Sequence, residues 1–206
     1  YTIPTGNPFV NDKGARPEIY AYGLRNPWKF GVDSQTGELF VADNGWETWE
    51  MVNHVKNGQN CGWPVMEGRA ELRTEVKVGP TPIVPPARDH HHSEANSVIG
   101  GPVYRSGILS GLNGYFVYGD YITGTIWGLK PDGDDYLYRD VVDTDLRIVD
   151  FAQGSNGELF VLDYDYTGGI YEILPNDVDD LSAEFPRLLS ETGLFESTKE
   201  LIPATG

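Results

Sequence analysis

Two neighbouring polar residues near the start of the chain, Arg25 and Asn26, have side chains suited to binding an anionic or polar ligand. The planar guanidinium of an arginine presents a fork of donors that matches the oxygens of a carboxylate. In a chain rich in Asp and Glu, Arg25 could equally pair with an acidic neighbour. Because Asn26 precedes Pro27, its backbone is expected to be extended, and its side chain could bond a ligand or cap a turn.

The run Asp89-His-His-His-Ser-Glu94 contains three of the four histidines and could bind a transition metal. Successive side chains of an extended chain point to opposite sides, so three adjacent histidines rarely chelate one ion by themselves. The run could instead bring one histidine to a binding site, or form a plain surface loop. The fourth histidine, His54, lies in the alternating segment Trp49–Val55 and is predicted to be structural.

The composition describes an acidic chain of 206 residues, with 31 Asp and Glu against 15 Lys and Arg and a formal net charge of −16. This balance argues against nucleic acid, which needs a basic surface, and against anionic membranes. Clustered carboxylates could bind Ca²⁺, which prefers oxygen ligands. The single cysteine, Cys61, cannot form an internal disulfide, and no apolar run is long enough for a transmembrane helix.

A seven-residue motif occurs twice with one change, as GELFVAD at residues 37–43 and GELFVLD at residues 157–163. A third copy, GYFVYGD, occupies residues 114–120. Short alternating runs and glycine turns surround each copy, which is typical of strands joined by hairpins. Several short strands repeated about every 40–50 residues indicate a β-propeller blade. We therefore predict an all-β protein with about three four-stranded blades.

Three blades do not close a ring, since propellers typically have about 4–8 blades and open sheet edges promote aggregation. We therefore expect residues 1–176 to be the C-terminal half of a larger propeller, completed by blades in cis or by a second chain. The start, YTIPTG, has neither Met nor a signal-peptide pattern, as expected for a mature or truncated piece. Residues 57–88 show little periodicity and are predicted to be an insertion. Residues 177–206 are predicted to be a linker with a short helix that ends near Gly193, leading to a possible following domain.

Five ordered motifs resemble those of a known family: GLRNP at 23–27, DNGWETWEMVN at 43–53, NCGWPVMEG at 60–68, SVIGGPVYR at 97–105 and GDYITGTIW at 119–127. Together they look like the quinoprotein glucose/sorbosone dehydrogenases. The resemblance covers about residues 18–175, and the order of the motifs is more specific than any one of them. It implies a six-bladed β-propeller that binds pyrroloquinoline quinone (PQQ) and Ca²⁺.

The resemblance also implies which residues form the sites. Four residues match family positions that contact the cofactor: Arg25, Asn26, Asn44 and Arg147. A Ca²⁺ beside the cofactor would take the backbone carbonyls of Gly45 and Trp46. A second, structural Ca²⁺ would take the carboxylate of Glu50 and the carbonyl of Cys61, a ligand set suited to a hard cation.

The implied chemistry is hydride transfer from a sugar or alcohol to PQQ, assisted by a histidine general base. None of the four histidines has the matching context, so this base is expected upstream of residue 1. The chain also departs from the family pattern at two cationic positions. The expected lysine falls on Ile122 or Thr123, and Val149 stands where a second arginine is expected. An anionic tricarboxylate without these cations would bind weakly in an acidic chain.

We expect the chain to supply one wall of the funnel of a PQQ-dependent dehydrogenase and to be inactive alone. The implied partners are a small-molecule sugar or alcohol and a cytochrome c that accepts electrons, and the implied location is periplasmic or extracellular. The alternative is a non-catalytic β-propeller that binds carbohydrate or protein through its top loops, because a fold does not fix a function.

Overall fold

The computed structural model describes residues 1–165, 168–176, 195–197 and 202–203. Residues 1–174 form one compact unit and residues 175–206 a second. The first unit has a short 3-10 helix at Ser110–Leu112. Its strands are β1 (Pro27–Val32), β2 (Leu39–Asp43), β3 (Trp49–Val55), β4 (Met66–Glu67), β5 (Ala70–Glu71), β6 (Arg88–His91), β7 (Val98–Val103), β8 (Phe116–Asp120), β9 (Thr125–Asp132), β10 (Asp135–Asp143), β11 (Ile148–Gln153), β12 (Leu159–Asp163) and β13 (Gly169–Ile173).

Three antiparallel sheets form the first unit. Their strand orders are β1-β2-β3-β6, β7-β8-β9-β10 and β11-β12-β13, so each sheet follows the chain outward from its first strand. Strands β1 and β11 both pack against β7, which brings the first strands of the three sheets together. This arrangement confirms the predicted all-β, partial β-propeller fold. The third sheet has three strands within the described residues, rather than the four that were predicted.

The glycine of the repeated motif turns the chain from the first strand of each sheet into the second. Gly37, Gly114 and Gly157 have φ values of 77°, 86° and 100°. Side chains with a Cβ rarely adopt this left-handed region, whereas glycine enters it without a steric penalty. The motif therefore starts with glycine in every copy.

The first strands approach so closely at the centre that two of them need glycine. A Cβ on Gly31 of β1 would lie 2.5 Å from the carbonyl oxygen of Gly101 in β7. A Cβ on Gly101 would lie 2.7 Å from the carbonyl oxygen of Val117 and 2.8 Å from the Cβ of Phe151. These contacts give a physical reason for the paired glycines of the SVIGGPVYR motif.

Substituting alanine for Gly101 is therefore expected to lower the free energy of unfolding by about 2 kcal/mol, because both neighbours belong to packed strands that must shift. Urea unfolding followed by circular dichroism would measure the loss. Gly107→Ala is the matched control, since no atom lies within 4 Å of a Cβ placed there. Equal unfolding midpoints for the two variants would contradict this account of the close approach.

The Tyr-Arg pair of the same motif joins the sheets at the end where the glycine turns lie. The Tyr104 hydroxyl donates to the carbonyl of Gly157 at 2.7 Å, which reaches the third sheet. The Arg105 guanidinium donates to both carboxylate oxygens of Asp33, beside the first turn, with Nε 2.9 Å from Oδ1. Asp33 is only 3% exposed. The second sheet is thus tied to both of its neighbours.

The predicted insertion, residues 57–88, contains the small β4–β5 ladder and the first residue of β6, and it packs on the segment before β1. Asn60 forms isolated bridges with Tyr22 and Ile83, and the Tyr22 hydroxyl lies 2.8 Å from Thr81 Oγ1. Among the described residues, none belongs to a helix with the length and apolar character needed to span a membrane. The helix predicted for the tail falls mainly on residues 177–194, outside the described residues. In the second unit, β14 (Phe195–Ser197) pairs with β15 (Ile202–Pro203).

Candidate functional site

Each of the three sheets carries the same hydrogen-bonded clamp at the end opposite the glycine turns. The aspartate that ends the repeated motif accepts the backbone N–H of the residue immediately before the sheet's first strand, at 2.6–2.9 Å. The residue after the aspartate donates its own N–H to the carbonyl of that same residue, at 2.9–3.1 Å. The three sets are Asp43 with Asn26 and Asn44, Asp120 with Ser97 and Tyr121, and Asp163 with Arg147 and Tyr164.

The clamps gather their side chains around one pocket of about 400 Å³ at the shared end of the sheets. The pocket is lined by Asn26, Trp28, Asn44, Ser97, Ile99, Tyr121, Val149 and Tyr164. Five lining residues belong to the clamps. The other three, Trp28, Ile99 and Val149, lie in the first strands of the sheets, two positions after Asn26, Ser97 and Arg147. Arg147 is the one clamp partner outside the lining. The repeat therefore builds the pocket as well as the fold.

The aspartates of the clamps are buried and satisfied by backbone donors. Asp43 is 1% exposed and accepts the N–H groups of Arg25 and Asn26. Burial raises the pKa of Asp43 to about 6, while the N–H groups of Arg25 and Asn26 act in the opposite direction. Asp120 is fully buried and accepts four backbone N–H groups, two on each oxygen.

The structure brings Arg25 and Asn44 together, as the predicted site requires. Arg25 Nη1 donates to the carbonyls of Asn44 and Gly45, at 3.2 and 2.5 Å, and its guanidinium lies over the Trp63 ring. Arg147 Nη1 donates to the carbonyl of Ile122 at 2.6 Å. Of the four residues predicted to bind the cofactor, Asn26 and Asn44 line the pocket, whereas both arginines are bonded to loop carbonyls. Cofactor binding by these residues stays a prediction.

Asn44, which lines the pocket, contains a buried acceptor without a hydrogen-bond partner among the residues that the structure describes. Its Nδ2 donates to Ser97 Oγ at 3.1 Å. Its Oδ1 is buried and has no hydrogen-bond partner within the described part of the chain. A buried polar atom without a partner costs about 1–3 kcal/mol. A donor group on a bound ligand would remove this cost.

The loop between β2 and β3 is held by one carboxylate from the insertion. Glu67 Oε1 accepts the N–H groups of four consecutive residues, 46–49, at 2.6–3.3 Å. Burial raises the pKa of Glu67 and the four N–H groups lower it, and the balance lies below its usual value. Gly45 fits this loop because a Cβ would lie 1.6 Å from the carbonyl oxygen of Trp49. The GWPVMEG motif thus shapes the loop that carries Gly45.

Two of the groups predicted to hold Ca²⁺, the Gly45 carbonyl and the Glu50 carboxylate, have other partners in the structure. The Gly45 carbonyl accepts Arg25, and the Cys61 N–H donates to the carbonyl of Tyr22 at 2.8 Å. Burial raises the pKa of the Cys61 thiol to about 11. Trp46 is 45% exposed. Among the described residues, no group of three or more His, Cys, Asp or Glu side chains is arranged to hold a metal ion. The two Ca²⁺ assignments stay predictions.

Glu50, predicted as a Ca²⁺ ligand, is 1% exposed and lies between the first two sheets. Its Oε2 accepts the N–H of Val98 at 3.1 Å, and its Oε1 lies 3.1 Å from His92 Nε2. Burial raises the pKa of Glu50, opposed by the bonds from Val98 and His92. Its contacts show Glu50 joining β3 to the start of β7.

The adjacent histidines separate, as expected for an extended chain. His90 is buried and stacks on Trp127 with ring centroids 4.5 Å apart, His91 is exposed, and His92 reaches Glu50. His54 stacks on Phe40 within the first sheet. None of these four histidines lines the pocket.

In each sheet the strands are ordered outward from the first strand, and the first strands of the three sheets pack together. A polar and aromatic pocket lies at one end of them. This architecture is that of a piece of a β-propeller. Residues 2–172 match the family described as Glucose / Sorbosone dehydrogenase, and the chain belongs to that family. The resemblance carried by the five motifs is thereby confirmed.

Relatives include the HIPL1 protein of Arabidopsis thaliana, 37% identical over 140 residues, which cover 62% of this chain and 20% of that protein. The aldose sugar dehydrogenase YliI of Escherichia coli is 26% identical over 188 residues, which cover 85% of this chain and 48% of that protein. The chain thus spans about a fifth of the first relative and about half of the second.

Solved structures show the same fold. A glucose dehydrogenase has a TM-score of 0.68 at 22% identity, over 84% of this chain and 51% of its own. The apo form of the Escherichia coli soluble aldose sugar dehydrogenase has a TM-score of 0.63 at 24% identity, over 82% and 50%. The PQQ-bound aldose sugar dehydrogenase from Streptomyces coelicolor has a TM-score of 0.60 at 20% identity, over 82% and 48%.

Sequence reasoning missed Trp28, Ser97, Ile99, Tyr121 and Tyr164 as pocket residues. The signal was present in the repeat, because the residue after the motif's aspartate lines the pocket in all three copies. Aligning the copies one residue further would have given Asn44, Tyr121 and Tyr164 together.

Proposed function

We propose that this chain forms part of the funnel of a dehydrogenase that oxidises an aldose or alcohol by hydride transfer to PQQ, with Ca²⁺ as a second cofactor. The observation that carries the proposal is the clamped pocket, which draws five of its eight lining residues from the GLRNP, DNG, SVIGG and GDY motifs. Relatives named as aldose sugar and glucose dehydrogenases support the reaction class. Because the chain spans about half of the bacterial relatives, the remaining blades are proposed to lie elsewhere in the parent protein.

The pocket fits a cofactor in size and in hydrogen bonding. A volume of about 400 Å³ falls within the range of small-molecule sites. Asn26 and Asn44 place amides in the lining. Both arginines lie outside the lining, and their forks have N–H groups besides Nη1 that could donate to carboxylates. The weak point is Val149, which lines the pocket where the family pattern expects a cation. When bound, PQQ would accept the hydride.

The chain's own residues would orient the bound molecules and exclude water from them. Asn26 and Asn44 offer amides on one side of the pocket, and Trp28, Tyr121 and Tyr164 offer aromatic rings. Since no histidine described here lines the pocket, the general base is proposed to come from the part of the parent protein before residue 1. A cytochrome c acceptor and a periplasmic or extracellular location belong to the same proposal.

A dye-linked oxidation assay on the full-length parent protein, supplied with PQQ and Ca²⁺ and offered a panel of aldoses and alcohols, tests the proposal. We expect turnover that requires both additions and that falls at least about tenfold in Asn44→Leu, because leucine removes the amide from the pocket. Asn11→Leu, at an exposed position, should leave turnover unchanged. No detectable oxidation of any aldose or alcohol in the panel would overturn the dehydrogenase assignment.

A second candidate is a non-catalytic module that binds a neutral carbohydrate. It is favoured by the pocket lining, which contains amides, three hydroxyl groups, aromatic rings and aliphatic groups but no cationic side chain. Sugar binding by the full-length protein without PQQ-dependent turnover would support this candidate over the first.

A further inference from the structure

The loop between β2 and β3 turns four consecutive backbone N–H groups, those of residues 46–49, toward one point. All four donate to Glu67 Oε1, at 2.6, 2.8, 3.1 and 3.3 Å in chain order. Trp46 and Glu47 are exposed residues, whereas Glu67 is only 3% exposed. Successive N–H groups that converge in this way form a concavity, or nest, that favours an anion. The carboxylate of Glu67 occupies this nest.

Glu67 reaches the nest from the insertion, and its own backbone is fixed there. It lies in β4 opposite Ala70 of β5, and Gly68 turns the chain between the two strands with a φ of 61°. A Cβ on Gly45 would lie 2.8 Å from Glu67 Oε1, so glycine at this position leaves room for the carboxylate. The small strand pair and the glycine of the loop therefore both fit the carboxylate between them.

Other contacts hold only the two ends of the loop. At its start, Arg25 Nη1 donates to the carbonyls of residues 44–45. At its end, the chain enters β3 at Trp49. Within the described part of the chain, the N–H groups of residues 46–48 donate to Glu67 alone. The middle of the loop therefore depends on this one carboxylate.

The loop begins with a residue of the pocket. Asn44 lines the pocket, and its Nδ2 donates to Ser97 Oγ at 3.1 Å. Only Gly45 separates Asn44 from the nest. Side chains that bind a ligand must be held to within about 0.5 Å by the residues around them. A loop that loses the Glu67 carboxylate would release Asn44 from this position.

We propose that residues 46–49 form an anion-binding nest, that the Glu67 carboxylate is the anion it holds, and that Glu67 thereby positions Asn44 in the pocket. Glu67 acts through the loop, so it is a positioning residue. A nest of this kind should also accept a small free carboxylate. Glu67→Ala removes a methylene and a carboxylate, which are the groups of acetate, so acetate is the matched replacement.

Hydrogen exchange in the full-length protein at neutral pH tests the nest. We expect Glu67→Ala to accelerate exchange at the amides of residues 46–48 by at least about tenfold. Acetate should restore most of the protection, and chloride at the same ionic strength should not. The amide of Asn44, which donates to the carbonyl of Asn26, should respond in the same way. Glu71→Ala removes an exposed carboxylate from the same strand pair and should change none of these rates.

Binding of PQQ to the full-length protein, measured by calorimetry without turnover, tests the effect on the pocket. This readout rests on the proposed function, because it uses PQQ as the pocket ligand. Relative to the native protein in the same buffer, Glu67→Ala should raise the Kd by about tenfold or more in chloride, but by no more than about threefold in acetate. Glu67→Gln keeps an acceptor oxygen and loses the charge, so its Kd should lie between those of the native protein and Glu67→Ala.

Two results would overturn the nest: unchanged exchange at residues 46–48 in Glu67→Ala, or faster exchange that acetate does not slow. Where Glu67→Ala does not fold, native exchange rates in Glu67→Gln would have the same meaning. Acetate-reversible exchange with an unchanged PQQ Kd and an unchanged rate at Asn44 would overturn the positioning role alone. A native protein that binds no PQQ would count against the proposed function, and exchange at Asn44 would then decide the positioning role.

Discussion

Replacing Arg105 by leucine is expected to lower the free energy of unfolding by about 4 kcal/mol, because it leaves the buried carboxylate of Asp33 without its cation. The native pair is bidentate, and Asp33 is 3% exposed. Leucine fills part of the volume but supplies no donor. The effect should exceed that of losing an exposed ion pair, whose contribution is about 0–1 kcal/mol.

Urea unfolding of the native protein and of Arg105→Leu at neutral pH would measure this loss. Arg69→Leu is the matched control, since it makes the same substitution in a pair with Asp89 where the arginine side chain is 56% exposed. We expect a loss of about 1 kcal/mol or less for that variant. A loss in Arg105→Leu no larger than in Arg69→Leu would show that the Arg105–Asp33 pair does not tie the sheets together.

The pH dependence provides an independent check on the same pair. The hydrogen bonds from Arg105, opposed by burial, hold the pKa of Asp33 well below its usual value. A carboxylate with a lowered folded-state pKa contributes stability above its unfolded pKa, and this contribution is lost as the pH falls through the folded pKa. Between about pH 4 and pH 2, unfolding free energy should therefore fall more steeply in the native protein than in Arg105→Leu.

The fold was predictable from the sequence because the repeated motif specifies a turn and a strand by local conformational preferences, and tertiary packing preserves both. Gly37, Gly114 and Gly157 are needed for the turns, and the short apolar run that follows each of them forms the second strand, which is buried along nearly its whole length in the first two sheets. The insertion could be predicted only as a loop. Its contacts with Tyr22 and its carboxylate Glu67 act over long sequence distances, which no periodicity records.

The candidate site was less predictable, for a different physical reason. Arg25 and Asn44 were assigned to one site and lie beside each other in the structure, but the direction of a guanidinium depends on which carbonyl lies nearest in space. Glu50 has the residue type of a cation ligand, yet it lies at 1% exposure between two sheets, where Val98 and His92 take its oxygens. Residue type indicates what a side chain can bind, whereas the register of the repeat indicates where it lies.

The clamps predict that Asp→Asn substitutions lower the free energy of unfolding by different amounts, according to how many backbone N–H groups each aspartate accepts. Asp120→Asn should lower the free energy of unfolding by about 4 kcal/mol, because an amide can accept with one oxygen only and its NH₂ group would face two backbone donors. In the native chain, Oδ2 accepts the N–H groups of Asn96 and Ser97 at 2.7 and 2.6 Å, and Oδ1 accepts those of Ile122 and Thr123 at 2.8 Å.

Two further Asp→Asn variants calibrate the result. Asp163→Asn should cost less, about 2 kcal/mol, because that carboxylate accepts only two backbone N–H groups through Oδ1 among the described residues and is 7% exposed. Asp143→Asn, at an exposed position at the end of β10, should cost close to nothing. Hydrogen exchange in Asp120→Asn should accelerate at the amides of Ser97 and Tyr121 before it does at Phe116, because the pocket end of the second sheet opens first. Equal losses at all three aspartates would mean that the clamps do not hold the sheets' first strands, and the pocket would then need another explanation for its shape.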